Sequence, residues 1–231
     1  MIKKSSDRRD FLRALAVVAS AISIDACAPY SALRAIPSQA YVPRYFTRDE
    51  WDFLQAACDR LIPADENGPG ASELGVPEFI DREMDGAFGH AATWYMQGPF
   101  ESAIPELGYQ SPHTPAEVYR IGIAAVDAQC RKMFGNRSFA ELPVPTQDSV
   151  LSDLETGALD FANVSGKSFF GFLLQNTKEG YLADPVHGGN RNMKSWTMIG
   201  FPGSRADFID WVDKYGVRYP IGPVGISGGR G

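Results

Sequence analysis

Two Thr-x-x-Glu boxes constrain this chain more than any other local feature. In Thr47-Arg48-Asp49-Glu50 and Thr114-Pro115-Ala116-Glu117 the threonine oxygen can take a free backbone N–H while the glutamate reaches back to the threonine N–H. Each box therefore predicts a helix start. Behind the first, Trp51, Leu54, Cys58, Leu61 and Ile62 share one face until Pro63 stops the helix. Behind the second runs the longest expected helix, to about Met133, with Val118, Ile121, Ala125 and Ala128 on its apolar side and Gly135 as its stop. Pro77 fits the first turn of a short helix carrying Phe79, Ile80 and Met84. Further helices are expected at about 146–155 and 165–181. A last one is capped by Ser204, holds Phe208, Ile209, Trp211 and Val212, and closes at Gly216. Few stretches alternate with period two, so no sheet of consequence is expected. The fold class is all-α: an irregular helical domain with long ordered loops around 86–113 and 184–203, preceded by an N-terminal export signal.

The chain is 231 residues long and 44% apolar, which suits one globular domain with an appendage. Its net charge of −6 argues against a nucleic-acid partner, which calls for a positive face to displace counterions. The first thirty residues differ from the rest. Lys3, Lys4, Arg8, Arg9 and Arg13 give a basic start, and residues 14–24 (ALAVVASAISI) carry no charge. That run is too short to span a bilayer and suits a secretory apolar region. The segment from Asp7 to Arg13 resembles the twin-arginine export motif, with Arg8 and Arg9 as the pair, Phe11 and Leu12 following, and Asp7 departing from the usual Ser or Thr. The expected division is a signal peptide over 1–28 (cleaved as late as residue 40), a linker over 29–45, a helical domain over 46–216 and a flexible tail over 217–231. Ala26-Cys27-Ala28 and Ser38-Gln39-Ala40 are the two candidate cleavage sequences. Removing the five basic and three acidic residues of positions 1–28 from a net charge of −6 leaves −8, an acidic mature protein. Cys58 and Cys130 remain, and in an oxidising compartment they either pair or stay as buried free thiols.

Most catalytic patterns are missing a part. Gly166-Lys167-Ser168 ends like a phosphate-binding loop, but the position of its first glycine is Phe161, so the backbone cannot curl its N–H groups around phosphate. Ser165 or one of its neighbours reads instead as a helix cap. His90, His113 and His187 show no metal-ligand spacing. The chain has no Gly-x-Ser-x-Gly elbow, no Gly-x-Gly-x-x-Gly after a strand and no Cys-x-x-Cys-His. Asp65, Glu66 and Asn67 lack the regular spacing of a calcium loop and read as a solvated turn. The expectation is no catalytic set, no metal ligands and no cofactor bound by this chain.

The densest run of unusual residues is "ADPVHGGNRNMKSW" from Ala183 to Trp196, just after an apolar helix rich in phenylalanine. Asp184-Pro185 turns the chain, Gly188-Gly189 permits close approach, and Arg191 and Trp196 offer the side chains that interfaces favour. An interface, or a loop packed on its own core, both remain open; so does a site built from Asp184, His187, Asn190 and Arg191. The longer stretch "FFGFLLQNTKEGYLADPVHGGNRNMKSWTMIGFPG", residues 169–203, resembles the signature of the small (third, or gamma) subunit of membrane-bound FAD-dependent gluconate 2-dehydrogenase. Thr177, Glu179, Gly180, Asp184, Pro185, Gly188, Gly189, Asn190, Arg191, Trp196, Gly200, Phe201, Pro202 and Gly203 carry the match. "LIPADENGPGASELGVPEFID" looks like the family's N-terminal portion. The resemblance implies an accessory subunit without catalysis of its own, in a periplasmic complex held at the inner membrane by its partners. Those partners are a large FAD-containing dehydrogenase subunit and a multihaem cytochrome c subunit. The small subunit would carry the flavoprotein through the twin-arginine translocase. The alternative is an independent periplasmic enzyme or binding module.

Overall fold

The computed structural model describes residues 41–101 and 104–231. The expected export signal, with Arg8, Arg9, Phe11 and Leu12, and residues 29–40 of the expected linker lie outside them.

Both threonine boxes close as full capping boxes. Thr47 caps α1 (Arg48–Leu61): its Oγ1 accepts from the Glu50 N–H at 3.4 Å, and the Glu50 carboxylate accepts from the Thr47 N–H at 2.8 Å. Thr114 does the same for α3 (Pro115–Met133), with proline in the first turn where its missing N–H costs nothing. Between them lies α2 (Val76–Asp85), which begins after Gly75 at φ 76°. Then come α4 (Val144–Thr156), α5 (Gly166–Leu182) and the short α6 (Lys194–Ile199). Ser165 caps α5 by accepting from the Ser168 N–H at 3.1 Å, the role expected of it in place of a phosphate loop. Among the described residues there is no β-strand, only two isolated bridges that involve Val224.

Helix α5 is the central pillar and packs against α1, α2, α3 and α4. Its nearly all-round apolar character is explained by that position: Phe169, Phe170, Leu173, Thr177, Gly180 and Tyr181 are buried. Gly122 on α3 lets the Phe169 ring lie where a Cβ would come within 2.4 Å of it. Phe53 of α1 packs between Phe169 and Phe139 with its ring tilted to both, 4.7 Å from the latter ring. A polar pair crosses this core, with the Tyr119 hydroxyl donating to Asn176 Oδ1 at 3.0 Å. Cys58 and Cys130 are both buried and free. Burial pushes the Cys58 thiol up to about 12 and the Cys130 thiol up to about 11.

Two expectations are corrected. The buried face of α3 is Val118, Tyr119, Gly122, Ile123, Val126 and Cys130, while Ala128 is exposed and Ile121 and Ala125 are only partly covered. The face is set by Tyr119 and Gly122, which meet α5, and not by the alanines. The last expected α-helix is a 3-10 segment (Ala206–Trp211) that buries none of its residues; Ile209 is 76% exposed. Near the far end of the chain Pro223 and Gly225 are buried, and the Ile226 N–H donates to Asp184 Oδ2 at 2.7 Å. Among the described residues no helix is long and apolar enough to cross a membrane.

Candidate functional site

The stretch after α5 is not one open loop. Asp184 caps a 3-10 turn (Pro185–His187) by accepting from the Val186 N–H at 3.0 Å, and its other oxygen receives the Ile226 N–H. Gly188, at φ 112°, ends that turn. A second 3-10 turn (Arg191–Met193) follows, with Asn190, Asn192 and Met193 all at positive φ, and leads into α6. Asparagine tolerates that region; methionine there costs on the order of 1 kcal/mol, which the surrounding packing offsets. Gly200 at φ 73° closes α6.

Asn190 organises the turn. It is fully buried, its Nδ2 donates to the Ala183 carbonyl at 2.9 Å, and its Oδ1 accepts from both the Ser195 N–H (3.0 Å) and the Ser195 hydroxyl (2.6 Å). Trp196 is 6% exposed and donates its indole N–H to the Leu182 carbonyl at 2.7 Å. The glycines permit close approach of neighbouring backbone and of a ring. A Cβ on Gly203 would lie 2.2 Å from the Val224 carbonyl oxygen, and one on Gly180 would lie 2.7 Å from the Phe79 ring. The turn is also stitched to the start of α2: the Arg191 N–H donates to the Leu74 carbonyl at 3.0 Å, and its guanidinium meets Glu78 at 3.2 Å. Glu78 also pairs with Arg82, whose Nε is buried without a hydrogen-bond partner.

The structure thus brings together Gly180, Asp184, Pro185, Gly188, Gly189, Asn190, Arg191 and Trp196, with Gly200 and Gly203 shaping the exit. Thr177 stands apart, inside the core, donating to the Leu173 carbonyl and touching Cys58 Sγ at 3.6 Å. Glu179 is on the outer face of α5, accepting from Gln175 and Asn176. His187 is exposed, and the Asp184 carboxylate faces two backbone N–H groups instead of the imidazole, so no Asp–His dyad forms. Among the described residues no group of three or more His, Cys, Asp or Glu side chains is placed to hold a metal ion.

Beside this scaffold lies exposed apolar surface. Leu182, Val186, Met198, Ile199 and Phe201 are each between 43% and 57% exposed. A cleft of about 390 Å³ runs between Trp196, Phe201, Tyr219, Ile221 and Pro223. Missed from the sequence are the partners of the signature: Leu74 and Gly75, just before α2, and Glu78 and Arg82 on it. All but Arg82 lie in "GASELGVPEFID", part of the stretch that resembles the family's N-terminal portion, and the two resembling stretches fold against each other.

These features define a small all-α protein whose most distinctive stretch is a glycine-shaped scaffold next to open apolar surface. Residues 48–203 match the family model of gluconate 2-dehydrogenase subunit 3, and the chain belongs to that family. No curated protein and no solved structure matches it. The match ends at Gly203, so the docked segment that reaches Asp184 lies beyond it.

Proposed function

We propose that this chain is a non-catalytic accessory subunit of a periplasmic, membrane-associated FAD-dependent dehydrogenase acting on gluconate or a related sugar acid or polyol. It carries the twin-arginine signal that exports the flavoprotein subunit, and it stabilises that subunit in the complex. The observation that carries the reading is the family match over residues 48–203, together with the Arg8-Arg9 motif ahead of it. The FAD belongs to the large subunit and haem c to a cytochrome subunit. Among the described residues no strand precedes a helix to seat a pyrophosphate, and the sequence has no Cys-x-x-Cys-His for haem. The exposed side chains of Val186, Met198, Ile199 and Phe201, held in place by the signature turn, are the surface this reading assigns to the flavoprotein.

The test is co-expression of the chain with its flavoprotein partner, with Arg8 and Arg9 both changed to Lys. The flavoprotein should then stay in the cytoplasm as a folded FAD protein. Normal export of it would sink the carrier role, while the purified chain alone showing bound flavin or turnover would favour an independent enzyme.

A further inference from the structure

Asp81 on α2 is fully buried, and among the described residues the hydrogen bonds it receives come from one segment 35 to 40 residues earlier. The Tyr41 hydroxyl and the Arg44 N–H each donate to Oδ2 at 2.7 Å; the Tyr45 and Phe46 N–H groups each donate to Oδ1 at 3.0 Å. Further fastenings lie on either side. The Tyr45 hydroxyl donates to the Ala116 carbonyl at 2.7 Å, and Arg120 donates to the Tyr45 carbonyl at 3.1 Å with its guanidinium 4.5 Å from the Tyr45 ring. Phe46 is 5% exposed, and its ring lies 5.8 Å from that of Tyr119. Residues 41–45, which composition alone reads as linker, are therefore part of the core's framework, and the compact body begins at Tyr41.

We infer that Asp81 is a lock that fixes the proteolytic boundary of this protein: leader processing falls at or before the Ala40–Tyr41 bond, and everything from Tyr41 onward stays with the body. This rests on the export reading above. A protease binds its substrate as an extended strand of several residues. The segment 41–46 can take that form only by withdrawing four donors from a buried carboxylate, which would then have no partner for its charge. Both candidate cleavage sequences, Ala26-Cys27-Ala28 and Ser38-Gln39-Ala40, end before the lock. Cleavage after Ala40 would leave Tyr41, the first residue Asp81 holds, as the new N-terminus.

Arg44 makes the lock measurable, because trypsin cuts after arginine and this arginine is exposed while its own N–H is held by Asp81. In the native full-length chain the Arg44–Tyr45 bond should resist trypsin at least tenfold better than the same bond in a peptide spanning 41–50. Asp81→Asn keeps the shape but sets an NH2 against two donors, and should speed that cut at least tenfold while the far-UV helix signal is retained. If Asp81→Asn loses its helix signal, Tyr41→Phe, which removes a single donor, should still speed the Arg44 cut severalfold. A wild-type bond cut as fast as the peptide, or variants that leave it as resistant as wild type, would overturn the lock. In an exporting host, the mature N-terminus read by mass spectrometry should fall at or before Tyr41, and one beyond Tyr41 would overturn the boundary. Unprocessed full-length protein in the cytoplasm would instead overturn the export reading, with the trypsin result standing apart.

Discussion

The backbone of Gly189 rests on the carbonyl of Gly180: a Cβ at Gly189 would fall 2.0 Å from that oxygen. The φ of Gly189 is not in the left-handed region, so the requirement is for space alone. Gly189→Ala must push the signature turn off the last part of α5, and a loss of about 2–3 kcal/mol is expected for the isolated chain. Urea unfolding reads it directly. A change below about 0.5 kcal/mol would mean that the turn gives way easily and is not pinned by this contact.

Asn190→Ala removes one donor and one doubly used acceptor at a fully buried position. The Ala183 carbonyl and the Ser195 N–H are then left without these partners, and a loss of about 2–4 kcal/mol is expected. Ser195→Ala, which deletes only the hydroxyl, should cost clearly less. If the two variants unfold at the same urea concentration, the side-chain bonds of Asn190 are not what holds the turn.

Arg191 behaves differently. Its side chain is half exposed, and its partner Glu78 keeps Arg82 when Arg191 is gone. Arg191→Ala should therefore change the stability of the isolated chain by under about 1 kcal/mol. If the guanidinium is a handle for the flavoprotein, the same substitution lowers the amount of flavoprotein that co-purifies with the chain severalfold. An unchanged yield would mean that the guanidinium is not such a handle.

The buried thiols set an alkaline limit. Burial raises the Cys58 thiol from 9.0 to about 12 in the folded chain, with Asp59 adding to the shift and the Thr177 contact opposing it. Above pH 9 the unfolded chain gives up this proton while the folded chain holds it. Stability is therefore fully present below pH 9 and falls as pH rises toward 12, by up to about 1.4 kcal/mol per pH unit for this thiol. Burial shifts Cys130 in the same direction, to about 11. Unfolding midpoints measured at pH 8, 9.5 and 10.5 should fall in that order, with a shallower fall in Cys58→Ala. Native protein at pH 8 should also react slowly with iodoacetamide at both cysteines.

The helices were legible wherever a cap or a stop stood in the sequence. Thr47 and Thr114 sit at the observed N-caps, Pro63 follows the end of α1, and Ser165 caps α5. The signature turn was legible as a unit, but its use was not. Trp196 looked like an interface handle and is 6% exposed, because its indole N–H has a carbonyl partner at Leu182, fourteen residues back. Ser204 looked like a cap and is not one, since its N–H pairs with the Val224 carbonyl in an irregular turn. The apolar face of α3 was misplaced because Tyr119 and Gly122 earn burial from what α5 brings against them. Neither carries a strong hydrophobic signal of its own.

The class of the protein, the starts of its main helices and its family resemblance over residues 169–203 can be read from the chain directly, since they depend on local caps and on a long run of specific residues. That Gly180 and Gly189 serve each other, that Asp184 holds a segment from the far end of the chain, and that Asp81 locks residues 41–46 emerges from the packed fold. The reason is physical. A capping box closes over four residues and is written in their spacing, whereas a buried carboxylate or a backbone contact needs partners 9 to 42 positions away, which are brought to it only when the helices pack.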